Sequence, residues 1–219
     1  ADYKALVRAD TNEPISIVRN TYQVVPNRVL ISELMEQLVG METPFVVDPS
    51  HSFVMNNKMR LQVRFPELTV SDDDSDIALS LYLHNSFDMS EGIRVFFGAI
   101  RGICTNGMVF GKSIAKAYHR HTSGFQLDKI SDSLSEVTEL MPGIQARIND
   151  LIRSEPDDAL YESIEKQLGK RMLKQVHENS QEHMSQWDVM NAITFIISHT
   201  IDQRMRARYQ LATSQVFAL

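Results

Sequence analysis

The sequence predicts an α+β protein in which an antiparallel β-sheet from the N-terminal half, carrying one short helix, packs against helices from the C-terminal half. Three observations lead there. Apolar and polar residues alternate strictly in Met59-Arg60-Leu61-Gln62-Val63-Arg64-Phe65, the period of a strand. Turn-rich breaks delimit further strand-like runs up to Phe110, whereas the pattern after Gly124 is helical to the end of the chain. Strands first and helices afterwards argue against an alternating, doubly wound fold. Residues 1–124 are thus expected to form the β-rich portion and 125–219 the helical portion, together one compact unit.

In chain order, residues 3–25 read as a hairpin: Ala5-Leu6-Val7, a turn at Asp10-Thr11-Asn12-Glu13-Pro14, then Ile15 to Val18 and Tyr22 to Val25. Pro26-Asn27 opens a helix with Val29, Leu30, Leu34, Met35, Leu38 and Val39 on one face, closed by Gly40. Asn56-Asn57-Lys58 turns into the Met59–Phe65 strand, expected to bury Leu61, Val63 and Phe65 and to leave Arg60, Gln62 and Arg64 on the open face. Ser71-Asp72-Asp73-Asp74-Ser75-Asp76 reads as a solvated loop before Ile77 to Leu83, and Gly92 to Phe110 adds one or two strands. Leu79, Leu81, Val95 and Ile193 complete the expected core. Helices follow at Phe125 to Arg153, with a break or kink at Met141-Pro142-Gly143, at Pro156 to Asn179, and at Ser185 to about Val216.

With 219 residues, 43% of them hydrophobic and 23% charged, the composition is that of a globular protein and excludes collagen-like and disordered classes. A single cysteine, Cys104, rules out an intrachain disulfide and a Cys-based zinc site, and points to a reducing, cytoplasmic setting. The longest apolar stretches, such as Ile193 to Ile201, fall well short of the ~20 residues a bilayer span needs, so no membrane association is expected. The chain starts Ala1-Asp2 rather than with Met, which suggests residues upstream. Net charge is −6, from 22 Lys and Arg against 28 Asp and Glu. Yet Ile93 to Gly124 contains no acidic residue, while Arg94, Arg101, Lys112, Lys116 and Arg120 are basic, so an acidic chain carries one locally basic segment.

Motifs that would announce chemistry are weak. Gly107-Met-Val-Phe-Gly111-Lys112-Ser113 has three residues between its glycines where a phosphate loop needs four, though backbone amides and Lys112 at a helix start could still hold a phosphate. His119-Arg120-His121 reads as a polar turn, Cys104 as an inert thiol, and His177 and His183 as helix-end residues. Arg204, Arg206 and Arg208 read as the solvated end of the last helix, opposing its C-terminal dipole. No paired carboxylates, Ser-His-Asp set or H-E-x-x-H spacing is recognisable, and no catalytic residue, metal or cofactor is expected.

The chain resembles a known family through Tyr3-Lys4-Ala5-Leu6-Val7-Arg8-Ala9-Asp10-Thr11, Ile17-Val18, Tyr22-Gln23-Val24-Val25-Pro26-Asn27, Asn85-Ser86-Phe87-Asp88, Arg101-Gly102-Ile103-Cys104-Thr105-Asn106 and Trp187-Asp188-Val189-Met190-Asn191-Ala192-Ile193-Thr194. That family is the phage- and plasmid-borne domain of unknown function nine-three-two, and the resemblance implies a mobile-element setting. In element order alone, the chain is also similar to the core of Rad-type single-strand annealing recombinases, which line a basic groove with single-stranded DNA as rings or filaments. The expectation that follows is an oligomeric single-stranded DNA binder that promotes annealing or recombination. Its interface would comprise Arg60, Arg64, Arg94, Arg101, Lys112, Lys116, Arg120 and Tyr118, with Phe110 interleaved, because phosphates need cations and bases need flat faces. Two alternatives differ in class. A phage or plasmid interaction protein that inhibits or modulates a host factor would use an acidic patch at Asp72, Asp73, Asp74 and Asp76. An enzyme would need a polar cleft assembled from distant residues such as His84, Asp88 and His119.

Overall fold

A computed structural model of the chain describes residues 2–55, 57–72, 75–90, 92–101, 107–109, 117–119, 127, 130–179 and 183–218. The strands are β1 (Tyr3–Val7), β2 (Pro14–Arg19), β3 (Val46–Val47), β4 (Phe53–Met55), β5 (Lys58–Ser71), β6 (Asp76–Ser86), β7 (Ile93–Arg101), β8 (Gly107–Val109) and β9 (Ala117–His119). One helix, α1 (Asn27–Val39), falls among them. The others follow: α2 (Ile130–Arg153), α3 (Asp158–Leu168), α4 (Lys170–Glu178), α5 (Gln186–Thr200) and α6 (Gln203–Phe217). Strands thus precede helices, and the α+β class stands.

The strands do not make one sheet. β1 and β2 form a separate antiparallel hairpin, and Tyr22 to Val25 is irregular rather than a third strand. The seven remaining strands make the main sheet in the order β3-β5-β6-β7-β8, with β4 also pairing β5 and β9 also pairing β7. β3 leaves β5 at Arg64, and Pro66, which has no N–H to give, follows just beyond that last pair.

The chain divides into two compact units, one of residues 1–66, 80–96 and 115–135, the other of residues 67–79, 97–114 and 136–219. In the first, Leu61, Val63, Phe65, Leu81, Leu83 and Val95 are buried, as alternation requires. α1 buries Leu30, Leu34 and Leu38 at i, i+4 and i+8, but Val29 and Val39, expected on the same face, are exposed. Asn85 fastens the entry to α1 through Nδ2, which donates to Val25 O at 3.2 Å and to Asn27 Oδ1 at 2.8 Å.

In the second unit, α3 packs on α4 and α6, and α5 packs on α4 and α6. Ile193, Ile197, Leu160, Ile164 and Phe217 are buried, and Leu79 joins them from β6. Gln145 of α2 takes both backbone groups of Ser71, each at 2.7 Å. Of the expected break or kink at Pro142 the break does not occur, and α2 continues through it: the proline and Gly143 lie on the exposed side, where water can satisfy the carbonyl that loses its N–H partner. Two breaks occur where continuous helices were expected. Gly169 adopts φ 90 and ψ 160 between α3 and α4, a conformation reserved for glycine. Ile201 is extended, with φ −91 and ψ 134, and parts α5 from α6. Ser185 starts α5 with a reciprocal capping box to Asp188. Among the described residues no helix is long and apolar enough to cross a membrane.

Candidate functional site

Strand alternation places two opposite characters on the two faces of the sheet in the first unit. Leu61, Val63, Leu81, Leu83 and Val95 line one face. Their neighbours Arg60, Gln62 and Arg64 on β5, Ser80, Tyr82 and His84 on β6, and Arg94 and Phe96 on β7 belong to the other. Ring contacts knit this second face together. The Arg60 guanidinium lies 4.8 Å above the Tyr82 ring. Tyr82 stacks on Phe96 with centroids 5.0 Å apart, and His84 meets Phe96 edge-on at 5.0 Å.

This face is not the open one that alternation alone implied. Gln62 is completely buried, and Arg60, Arg64, Arg94 and Phe96 are half-buried. The expectation that Gln62 faces solvent is therefore overturned: Gln62, Ser80 and Tyr82 are buried although they alternate with the apolar set. What makes the face unusual is its lack of compensation. Among the described residues, neither atom of the Gln62 amide finds a hydrogen-bond partner. Burial is also the main reason that the Tyr82 phenol is pushed well above its ordinary pKa. A buried polar group normally finds a partner, and a buried amide without one among the described residues needs a reason.

The backbone at Gln62 shows how the strand edge opens here. β4 pairs β5 as far as Arg60, and β3 resumes the pairing at Val63. Between them the chain detours through residues 48–52. The Asp48 N–H donates to Gln62 O at 2.9 Å, and the Gln62 N–H donates to Ser52 Oγ at 3.0 Å. The detour supplies a second polar group beside Arg64. Asp48 Oδ2 lies 3.1 Å from His51 Nδ1 and 3.5 Å from Arg64 Nε, and Oδ1 accepts from the Ser50 N–H at 3.0 Å. Burial pushes this carboxyl up, but the His51 hydrogen bond and charge, the Ser50 amide and Arg64 outweigh it and hold the carboxyl below its usual range.

Of the eight residues expected at a nucleic-acid interface, Arg60, Arg64 and Arg94 come together on this face. Tyr118 takes the register position opposite Arg94 in β9, and Arg101 ends β7 in the other unit. Lys112, Lys116 and Arg120 lie outside the described residues, as do Phe110 and Cys104. Sequence reasoning did not single out Gln62, Tyr82 or Phe96, nor the Asp48–His51 pair. Tyr82 and Phe96 carried a readable signal, since they alternate with Leu81, Leu83 and Val95 and so had to share a face with Arg60 and Arg94.

Two further expectations are corrected. The acidic run is not simply a solvated loop: Asp72 accepts from the indole Nε1–H of Trp187 at 2.9 Å and from the Ser75 N–H at 2.9 Å, so it anchors the β5–β6 turn to α5. Asp73 and Asp74 lie outside the described residues. Arg204, Arg206 and Arg208 occupy the first turns of α6 rather than the end of a helix, because the chain breaks at Ile201. Arg206 Nε donates back to Ile201 O at 2.9 Å. Among the described residues, no group of three or more His, Cys, Asp or Glu could hold a metal ion.

Comparison with curated proteins and with solved structures returns no match. The family model described as Domain of unknown function (DUF932) matches residues 14–214, a span that takes in every element from β2 to α5 and most of α6, and the chain belongs to that family.

Proposed function

We propose that this protein binds single-stranded DNA on the polar sheet face of its first unit and promotes annealing or recombination as an oligomer encoded by a phage or plasmid. The observation that carries the reading is that Arg60, Arg64 and Arg94 share one sheet face with the Tyr82–Phe96 stack and with a buried Gln62 amide that has no hydrogen-bond partner among the described residues. Arg60, Arg64 and Arg94 supply cations for phosphates. Phe96, half-buried against Tyr82 and His84, supplies a flat face on which a base can stack, a contact worth about 1–3 kcal/mol per base. A net charge of −6 disfavours nonspecific polyanion binding, so the affinity must be concentrated where the cations cluster. The Rad-type resemblance in element order and a cytoplasmic setting belong to the same proposal. For self-association, the β3 and β4 edge offers Val46, Val47, Val54 and Met55, all exposed beside strands of two and three residues.

The experiment is electrophoretic mobility of a labelled oligonucleotide over a range of salt concentrations. The parent and a variant with Arg60, Arg64 and Arg94 all changed to Gln are compared, with circular dichroism to verify folding. Each lost phosphate contact should flatten the slope of log affinity against log salt by about 0.7. The basic-segment variant, with Arg101, Lys112 and Lys116 changed to Ala, tests the rest of the expected interface in the same way. Failure of the parent to bind at low salt would remove the nucleic-acid reading. Unchanged affinity and slope in the folded sheet-face variant would move the interface elsewhere. A monomeric mass by light scattering at high protein concentration would remove annealing by a ring or filament.

A further inference from the structure

The second unit holds a cleft of about 280 Å³ where the α3–α4 corner meets α6. Lys166, Gln167 and Gly169 line it from the corner, and Arg208, Tyr209 and Ala212 line it from α6. No carboxylate is among its lining residues, in a chain whose net charge is −6. Neighbouring lysines are taken: Lys170 pairs with Glu165 at 3.6 Å and Lys174 with Glu178 at 3.7 Å. Lys166 and Arg208, the two cations of the cleft, have no such pairing among the described residues, and both are exposed.

Two features of the backbone add to this charge. Gly169 turns the corner with positive φ, and a Cβ added there would meet nothing within 4 Å, so its missing side chain leaves the backbone open to a ligand. It is also the N-cap of α4 and offers that helix no side-chain cap hydrogen bond. The guanidinium and phenol that α6 brings to the cleft and the ammonium that α3 brings match a phosphate group, which takes bidentate and point-charge donors together.

We infer that this cleft binds the phosphate group of a phosphorylated ligand, with Arg208 and Lys166 as the charge-bearing contacts and Tyr209 as a hydroxyl donor. The site is independent of the sheet face: it uses other residues in the other unit, and either can fail alone. The phosphate can belong to a small phosphorylated molecule or to the backbone of a nucleic-acid strand, and the chemistry of recognition is the same.

The test is calorimetric titration of the full chain with sodium pyrophosphate against a sodium chloride control of equal ionic strength. The parent should bind saturably. Arg208→Gln and Lys166→Gln should each weaken binding severalfold and the double variant at least tenfold, whereas Lys174→Gln, outside the cleft, should leave it unchanged. Heat no different from the chloride control, or equal weakening by Lys174→Gln and the double variant, would overturn the inference. A second arm identifies the source. If pyrophosphate displaces a labelled oligonucleotide lacking terminal phosphates from the parent, and the double variant loses that competition, the cleft holds a strand backbone. If pyrophosphate binds but does not compete, the ligand is a small phosphorylated molecule.

Discussion

Replacing Gln62 with Met should make the protein more stable and a poorer binder. The side chain is fully buried, and neither amide atom has a hydrogen-bond partner among the described residues. Burying such a group without compensation costs about 1–3 kcal/mol, as judged from mutational data. Met is unbranched and close in size, so misfit should return less than about 1.5 kcal/mol of that gain. The expected net effect is a stabilisation of up to about 3 kcal/mol, which for a chain of this length raises the melting temperature by up to about 12 °C. Urea unfolding followed by fluorescence should show a higher midpoint with an unchanged m-value. Gln62→Leu serves as the shape control. If the proposed DNA strand bonds to this amide, oligonucleotide affinity measured on the same samples should fall. A loss of more than about 1 kcal/mol in both variants would show that the amide is already satisfied in the free protein, and would refute the reasoning.

Further substitutions test the framework around the two sites. Trp187→Phe removes the indole donor to Asp72 and should cost about 1.5–3 kcal/mol in urea unfolding, as for a hydrogen bond to a charged group; a double-mutant cycle with Asp72→Asn isolates the coupling. Asp48 has its carboxyl held below the usual 3.8, so its stabilising contribution is fully present above that value and lost as pH falls through the lowered one. Asp48→Asn should therefore lower the urea midpoint at pH 7, and the difference from the parent should vanish in acid. Gly169→Ala should cost about 1–3 kcal/mol from backbone strain alone, since its Cβ meets open space, whereas Gly143→Ala, inside α2 and equally uncrowded, should stabilise by about 0.4–1 kcal/mol; paired urea midpoints check both signs.

Local chemistry made much of the fold legible. Alternation from Met59 to Phe65 names the buried set Leu61, Val63 and Phe65 without any knowledge of their partners, and the i, i+4, i+8 leucines of α1 name theirs. What stayed hidden depended on partners distant in sequence. Asp72 looks like a solvated acid until Trp187, 115 residues away, brings its indole to the carboxylate. Pro142 looks like a break but falls on an exposed side where the helix tolerates it. Gly169 and Ile201 lie within helical periodicity, and only the turn of the chain at each shows that the pattern serves two helices. That second break also converts Arg204, Arg206 and Arg208 from the end of one helix to the start of another.

The site was half legible for a related reason. Its arginines are visible as charges, but its character comes from which strands lie side by side: Tyr82 and Phe96 belong to different strands and stack only because β6 and β7 pair. Gln62 is the position where pattern and burial disagree most sharply. By alternation a polar residue there belongs outside, and by burial it lies inside without partners among the described residues that would offset its desolvation. Sequences that specify a fold well break such local rules at few places, and those places tend to be functional. At Gln62 the same disagreement coincides with the detour of residues 48–52 away from the strand edge, with the Asp48–Arg64 ion pair, and with the ring cluster at Tyr82. A stabilising substitution at that one position is therefore the most economical way to ask whether the whole face is kept polar for a ligand.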